Sequence, residues 1–374
     1  MDIELQSEIT DKQKAKRYNN IKQFIDIGDF VLQIGFMQIV LLFGFSELLA
    51  SQITKLVSNA YISMLIYVSV IGTIGGLLMF PIELYSGFIL EHRYQLSNQN
   101  FRQWFVEQAK RFLISSLIFL PMMFAIYFCI RRFSYLWWLP VACFIFIFST
   151  VLSLILPIVI MPLFYKFTPI EDEEIRDRLT SLAEKMEIKV KGVYSFDMSK
   201  DTRKANAALA GIGRTKRIVL ADTLLSGFSI EEIESVFVHE VAHQKYHHIW
   251  KSIFAGAASN FLGLFFVADF YYRLIGVYGF QSIQDIPALP ILGTLLGLWA
   301  IFALPFGNAI SRFYEKQCDE YTIKHVGAEP FISAMKKIAS MNLSDETPNP
   351  IIEFLFYSHP SISRRIKMAE NLKN

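Results

Sequence analysis

The stretch VFVHEVAHQKYHHIWKSIFAG, Val236 to Gly256, holds four of the chain's seven histidines and then runs into an apolar segment. His239 and His243 are four residues apart, so on a helix they share one face, about 6 Å apart at Cβ. Two imidazoles so placed can bind one Zn²⁺, and Glu240 beside the first can reach a water on the metal without ligating it. The neighbours Val236, Phe237, Val238, Val241 and Ala242 suit a buried, water-poor site. There zinc lowers the pKa of its water toward about 7 and the glutamate accepts the proton. Matches this short also arise by chance, so the surroundings must add weight.

A third ligand has two possible sources. His247 is eight residues from His239 and reads as a further turn of the same helix. The metzincin pattern wants Gly three residues after the second histidine and His six after it; Tyr246 and Ile249 stand there instead. His247 and His248 therefore read as interfacial residues beside Trp250 and Lys251. The other source is SRFYEKQCDEYTIKHVG, Ser311 to Gly327, a helix with Lys324 and His325 in its last turn, Gly327 as C-cap and Pro330 beyond. Its Glu315 and Asp319 are four apart, and two carboxylates on one face repel unless a cation lies near. A zinc ion and a zinc-bound histidine would serve, with Glu315 as ligand and Asp319 accepting a hydrogen bond from a ligand histidine. Taken alone, the segment reads rather as a solvated face with an Arg312–Glu315 pair.

Elements must hold these residues in place. Ser229 followed by Glu232 is a capping box, so a helix starts near Ile230 and carries the HEVAH stretch. Before it, EDEEIRDRLTSLAEKM reads as helix, and VKGVYSF and RIVLADTLL alternate like strands, with Gly211 and Gly213 suited to a turn between. The rest of the chain is apolar. Its 374 residues are 53% hydrophobic and 19% charged, with mean hydropathy +0.36, and six runs are long enough to span a bilayer. They are Phe30 to Ala50, Tyr61 to Ile82, Phe112 to Ile130, Trp137 to Tyr165, Ile253 to Phe270 and Ala288 to Ala309. The fourth is overlong and carries Pro140, Pro157 and Pro162, which favours a kink or tilt. The net charge of +2 points to no nucleic acid, and three cysteines form no disulfide framework. The polar N-terminus is too long to be a signal peptide.

Lysine and arginine set the orientation. Lys12, Lys14, Lys16, Arg17, Lys22, Arg93, Arg102, Lys110 and Arg111 fall on the side of the two large polar segments. The other side receives little beyond Lys55, Arg131, Arg132 and Arg273. The expected organisation is a cytoplasmic N-terminal segment (1–29), four spans with a cytoplasmic loop 85–111 (30–165), and a cytoplasmic α+β segment with the HExxH helix (166–251). Two further spans (252–310) and a cytoplasmic helical segment with the third ligand (311–374) complete it.

The residues together carry a resemblance. HEVAH at His239 to His243, SRFYEKQCD at Ser311 to Asp319 and YSHPSISRR at Tyr357 to Arg365 resemble motifs of the type I CAAX prenyl endopeptidases, integral-membrane zinc metalloproteases. FPIELYSGFILEHRYQLSNQ, MPLFYKFTPI and ANAALAGIGRTKRIVLADTLL resemble the same family, in order, from about Phe80 onward. The resemblance implies a mostly α, polytopic membrane fold with a small α+β, gluzincin-like zinc protease domain built from two cytoplasmic segments. It implies one Zn²⁺ per chain on His239, His243 and Glu315, Glu240 as general base, and Asp319 behind the ligands. It also implies that His359 and Arg365 face the site, and that Asn206 and Ala207 lie on an edge strand that pairs with the substrate backbone, a standard way to bind an extended peptide. Two departures stand out: Cys318 occupies a position that is usually alanine, and six spans replace the usual seven, a charged segment standing where the first would be.

The expected activity is removal of the C-terminal tripeptide from a prenylated, CAAX-type protein at a bilayer. The membrane would be the cell (inner) membrane in a prokaryote and the endoplasmic reticulum in a eukaryote. The alternatives are an HtpX-like quality-control protease and a non-catalytic binder of lipidated proteins. Glu240 speaks against the binder, which needs no general base. A site-2-type protease would need a second LDG-like motif, which is absent. A transporter would show related halves, and these halves look unrelated.

Overall fold

The computed structural model describes residues 2–188, 192–210 and 217–373, so the turn expected at Gly211 and Gly213 lies outside the described residues. Helix α1 (Asp2–Leu42) joins the charged N-terminal segment and the first apolar run in one rod. It stops before Gly44, whose φ of 71° suits a residue without Cβ, and α2 (Phe45–Leu56) follows as a separate short helix. The expected span from Phe30 to Ala50 is therefore corrected: the run is broken at Gly44, and the spanning helix begins well upstream. Asn59 starts α3 (Ala60–Leu84) by accepting from the amides of Tyr61 and Ile62 at 3.0 and 3.2 Å. A π turn over Tyr85–Ile89 leads on into α4 (Leu90–Arg93). An Asn100–Gln103 capping box opens α5 (Phe101–Phe133). Helix α6 (Trp138–Ile155) ends in a π turn over Leu156–Ile160, so the overlong fourth run is a shorter span with an irregular tail. Pro157 and Pro162 have no backbone N–H to continue the ladder.

The first polar segment then forms β1 (Phe167–Pro169), α7 (Glu173–Lys185), β2 (Val193–Phe196), β3 (Ala207–Ala210) and β4 (Arg217–Ala221). The strand expected over RIVLADTLL stops at Ala221; Asp222 opens the short helix α8 (Asp222–Gly227). The sheet order is β1-β2-β4-β3, with β2 and β4 parallel and both outer pairs antiparallel, so β3 is an edge. Next comes α9 (Ile230–Lys245), with the expected box: the Ser229 amide donates to Glu232 Oε2 at 2.7 Å and the Glu232 amide to Ser229 Oγ at 3.4 Å. Helices α10 (His248–Val277) and α11 (Leu289–Val326) run through the bundle, and α12 (Ala328–Asn342), α13 (Pro350–Phe356) and α14 (Ile362–Lys373) close the chain. Gly327 ends α11 at φ 97°, as expected.

Among the described residues six helices are long and apolar enough to cross a membrane: Asp11–Leu42, Ala60–Arg93, Phe101–Leu136, Trp138–Ile155, His248–Val277 and Ile286–Val326. Only 11–22% of their most apolar windows is buried within the chain. Leu77, Leu113, Leu117, Phe302 and Phe306 point outward from them. An apolar exterior of that extent needs lipid as its solvent, and the protein is an integral membrane protein.

Two cores result. The bundle packs around Met64, Tyr67, Tyr127, Trp137 and Tyr271, and the polar segment around Leu179, Ile218, Leu220, Phe237 and Val241. In the polar segment each large aliphatic or Phe side chain so buried contributes about 1.5–3 kcal/mol; in the bundle, with lipid outside, close packing and interhelical hydrogen bonds hold the helices together instead. The loop after α4 ties the two together: the Asn98 amide donates to Asp201 O and the Arg203 amide to Leu96 O, both at 3.0 Å. Glu91 accepts from Tyr18 on α1 and pairs with Lys204 at 3.0 Å, while Asn19 donates to Leu343 O. Helix α1 thus lies against the polar domain as well as in the bundle.

Candidate active site

Helix α9 buries Ile233, Val236, Phe237, Val238 and Val241 in the domain core. With that side fixed, the helix turns His239 and His243 toward α11. His239 Nε2 lies 3.1 Å from Glu315 Oε2, and His243 Nε2 lies 3.3 Å from Glu315 Oε1. The three side chains present ligand atoms within 4.8 Å of one another. Glu315 is 4% exposed, and its Oε2 has no hydrogen-bond partner. An orphaned carboxylate oxygen facing imidazole nitrogens is the signature of a cation site, and two imidazoles with one carboxylate are a donor set that zinc accepts. The residues fit the metal.

Behind His239, Asp319 Oδ1 stands 3.1 Å from Nδ1, close but not aligned as a hydrogen bond. Asp319 is fully buried, and Arg365 clamps it with two donated bonds, from Nε at 2.8 Å and Nη2 at 2.5 Å. Arg365 Nη2 also reaches within 3.8 Å of Glu315. Burial alone would push the His239 imidazole down, but Asp319 and Glu315 outweigh it and hold its pKa up at about 9. Burial likewise raises the Glu240 carboxyl above its ordinary value, against the pull of the two histidines. A raised carboxyl suits a general base that must later return its proton.

The other expected residues gather around this centre. His359 Nε2 is 3.4 Å from Glu315 Oε1, and its ring is largely exposed. Ala207 opens the edge strand β3, and Asn206 stands one residue before it, its carbonyl accepting from the Ala221 amide at 2.9 Å. Both line a cavity of about 610 Å³ with His239, Glu240, Glu315, His359 and Arg365, closed on one side by Lys22, Gln23 and Asp26 of α1. A second cavity of about 710 Å³ runs from Glu240 and His243 into the bundle, between Phe146 and Ser149 of α6 and Gly256 and Asn260 of α10.

Two expectations from the sequence fail here. Arg312 does not pair with Glu315: its Nη1 donates to the carbonyls of Glu353, Phe354 and Tyr357. It therefore fastens the loop that carries His359, a task that its position on α11 did not signal. His247 and His248 do not extend α9. That helix ends at Lys245, His247 takes a left-handed φ of 56°, and His248 starts α10. His248 is 2% exposed and not interfacial; it packs against His243, Tyr314 and Cys318.

Comparison with known proteins identifies the family and the fold. Residues 3–166 match the family model described as CAAX prenyl protease N-terminal, five membrane helices, and residues 169–373 match peptidase family M48. A Bacillus subtilis relative named uncharacterized metalloprotease YhfN is 29% identical, across 96% of this chain and 85% of its own. The CAAX prenyl protease 1 homolog of Arabidopsis thaliana is 31% identical over 78% of this chain and 69% of its own. CAAX prenyl protease 1 of Saccharomyces cerevisiae is 27% identical over 83% of this chain. The crystal structure of Ste24p from S. mikatae superposes with TM-score 0.87 at 23% identity, covering 96% of this chain and 89% of that one.

Proposed function

Because the chain belongs to peptidase family M48 and is a membrane metalloprotease of the CAAX prenyl protease type, we propose that it is a zinc endopeptidase acting on lipidated proteins. His239 and His243, through Nε2, and Glu315 would hold one Zn²⁺. When bound, the ion supplies Lewis acidity toward a water and toward the scissile carbonyl. Glu240, half-buried between the two cavities with a raised pKa, takes a proton from the attacking water and gives it to the leaving amine. The edge of β3 at Asn206 and Ala207 aligns the substrate as an added strand. His359, close to Glu315 and lining the cavity, would donate to the developing oxyanion. Arg365 is committed to Asp319 and acts by holding that carboxylate behind His239.

The metal reading rests on one observation, the orphaned Glu315 Oε2 facing His239 Nε2. The substrate reading rests on another: Glu240 lines both cavities, the more polar one flanked by a strand edge, the other running between membrane helices. A peptide in the first could keep its lipid in the second, which suits cleavage of the C-terminal tripeptide from a prenylated, CAAX-type substrate. The distribution of Lys and Arg supports a cytoplasmic site. Quality-control proteolysis is the second reading: the cavity beside the β3 edge would take an extended, unfolded segment whether or not it carries a lipid.

The test is incubation of the detergent-purified chain with a farnesylated CAAX-terminated peptide, products being mapped by mass spectrometry, beside Glu240→Gln. The expected result is release of the last three residues, slowed about 10²–10⁴-fold in the variant. Glu240-dependent cleavage of an unfolded protein but not of the peptide would replace the substrate class with the quality-control one. Cleavage of neither by a zinc-loaded protein would sink the enzyme reading in favour of a binder.

A further inference from the structure

His248 has no part in the chemistry above, yet it is buried against one of the ligands. Its Nδ1 is 3.2 Å from His243 Nδ1, and its Nε2 is 3.1 Å from Gln317 Oε1. Tyr314 stacks on its ring with centroids 4.2 Å apart and planes 11° from parallel. Tyr314 and Gln317 belong to α11, which also supplies Glu315. The approach depends on His247, whose left-handed φ of 56° is uncommon for a residue with a side chain and turns the chain so that His248 folds back onto α9.

We infer that His248 is a positioning residue for the metal site, accepting a hydrogen bond from His243 Nδ1–H and so keeping the His243 Nε2 lone pair toward Glu315. The order of protons follows from the ends. An amide oxygen only accepts, so His248 Nε2 carries the hydrogen that faces Gln317. A neutral imidazole then has its lone pair on Nδ1, and the N–H that meets it is that of His243. His243 Nε2 is left bare, 3.3 Å from Glu315 Oε1, as a metal ligand must be. Metal-bound histidines usually give their second N–H to a carboxylate, a carbonyl or water; here a neutral imidazole, itself oriented by Gln317 and Tyr314, takes that place. Cys318 Sγ flanks the same His248 nitrogen at 3.6 Å and is a weak second donor.

This inference rests on the ligand set proposed above, and zinc affinity tests the two separately. The full-length chain in detergent is stripped with a chelator, and zinc binding is read by competition with a chromophoric chelator. Glu315→Gln must weaken binding; if it does not, the ligand set fails and the role of His248 falls with it. Given that loss, His248→Phe keeps the stack on Tyr314 but offers no acceptor, and should weaken zinc about 10–100-fold. His248→Asn sets an amide oxygen near the position of Nδ1 and should recover most of that loss, while Gln317→Leu should show a smaller one. Cys318→Ala should bind as the parent does. Parent-like affinity in His248→Phe would overturn the inference. So would an Asn variant, folded by circular dichroism, that binds no better than Phe. A Cys318→Ala loss as large as that of His248→Phe would overturn it too, by making His243, His248 and Cys318 metal ligands themselves.

Discussion

His239 and His243 sit one turn apart on α9, yet the protein backs the first with charge and the second without it. Behind His239 stand Asp319 and Arg365, a buried ion pair. Behind His243 stand His248, Gln317 and the ring of Tyr314, all neutral. The contrast has an electrostatic reason. With Glu240 ionised, Glu240, Glu315 and Asp319 would bring three negative charges, and Arg365 with a bound divalent cation three positive ones, so the metal-loaded site would be balanced. A carboxylate in place of His248 would leave one net negative charge in a water-poor space, which is costly. One charged flank and one neutral flank orient both ligands while keeping that balance.

The charged flank should be the one that stability depends on. Arg365→Ala leaves Asp319 buried and uncompensated, since Asp319 is fully buried and Arg365 nearly so. The expected loss is about 3–5 kcal/mol, read as a lowered melting temperature in detergent. The double replacement Asp319→Leu with Arg365→Met should cost less than Arg365→Ala, because it removes both charges together. His248→Phe should barely move the melt. If Arg365→Ala melts like the parent, the ionic flank is not structural and the contrast collapses.

What was legible in the sequence divides along the same line. The proposed ligands His239 and His243, the proposed base Glu240 and the Ser229–Glu232 cap all lie on one helix, where spacing alone fixes which residues share a face. Glu315 and Asp319 were legible as a pair at i and i+4, but spacing did not give their partner: Arg365 comes from α14 by tertiary packing, and only the family resemblance put it at the site. The neutral flank was misread for a local reason. Nothing in QKYHHIW marks His247 as left-handed, and a helix continued through it carries His248 away from the site. The break at Gly44 was missed too: glycine is the residue expected at a positive φ, but the apolar run from Phe30 to Ala50 continues through it. The membrane helices were legible as to number, because length and apolarity suffice; their ends were not, since prolines and π turns decide them.

The pH dependence of zinc binding should tell the flanks apart. In the metal-free protein the carboxylates near His239 hold its pKa at about 9. Below that pH the site carries a proton that zinc must displace, so affinity rises with pH and levels off above about 9. The slope below is about tenfold per unit, or about 1.4 kcal/mol. Asp319→Asn removes the largest cause of the raised pKa and should flatten the curve near neutral pH. His248→Phe should lower the whole curve and leave its shape alone. A flattened curve in His248→Phe would mean that the neutral flank also sets the charge state of the site.

The smallest effect should come from the start of α9, which lies under both flanks alike. Ser229→Ala removes the side chain that accepts from the Glu232 amide, a change worth about 1 kcal/mol. Glu232 also accepts from Ser333 at 2.5 Å and Lys337 at 2.7 Å on α12, so the first turn stays tethered without its cap. The loss should therefore fall at or below that figure, read by denaturant titration of the chain in detergent micelles. Zinc affinity should stay at the parent value at every pH, because neither Asp319 nor His248 has moved. A Ser229→Ala loss of affinity as large as that of His248→Phe would show that the seat of α9 sets ligand geometry for both histidines, and the difference between their flanks would then concern charge alone.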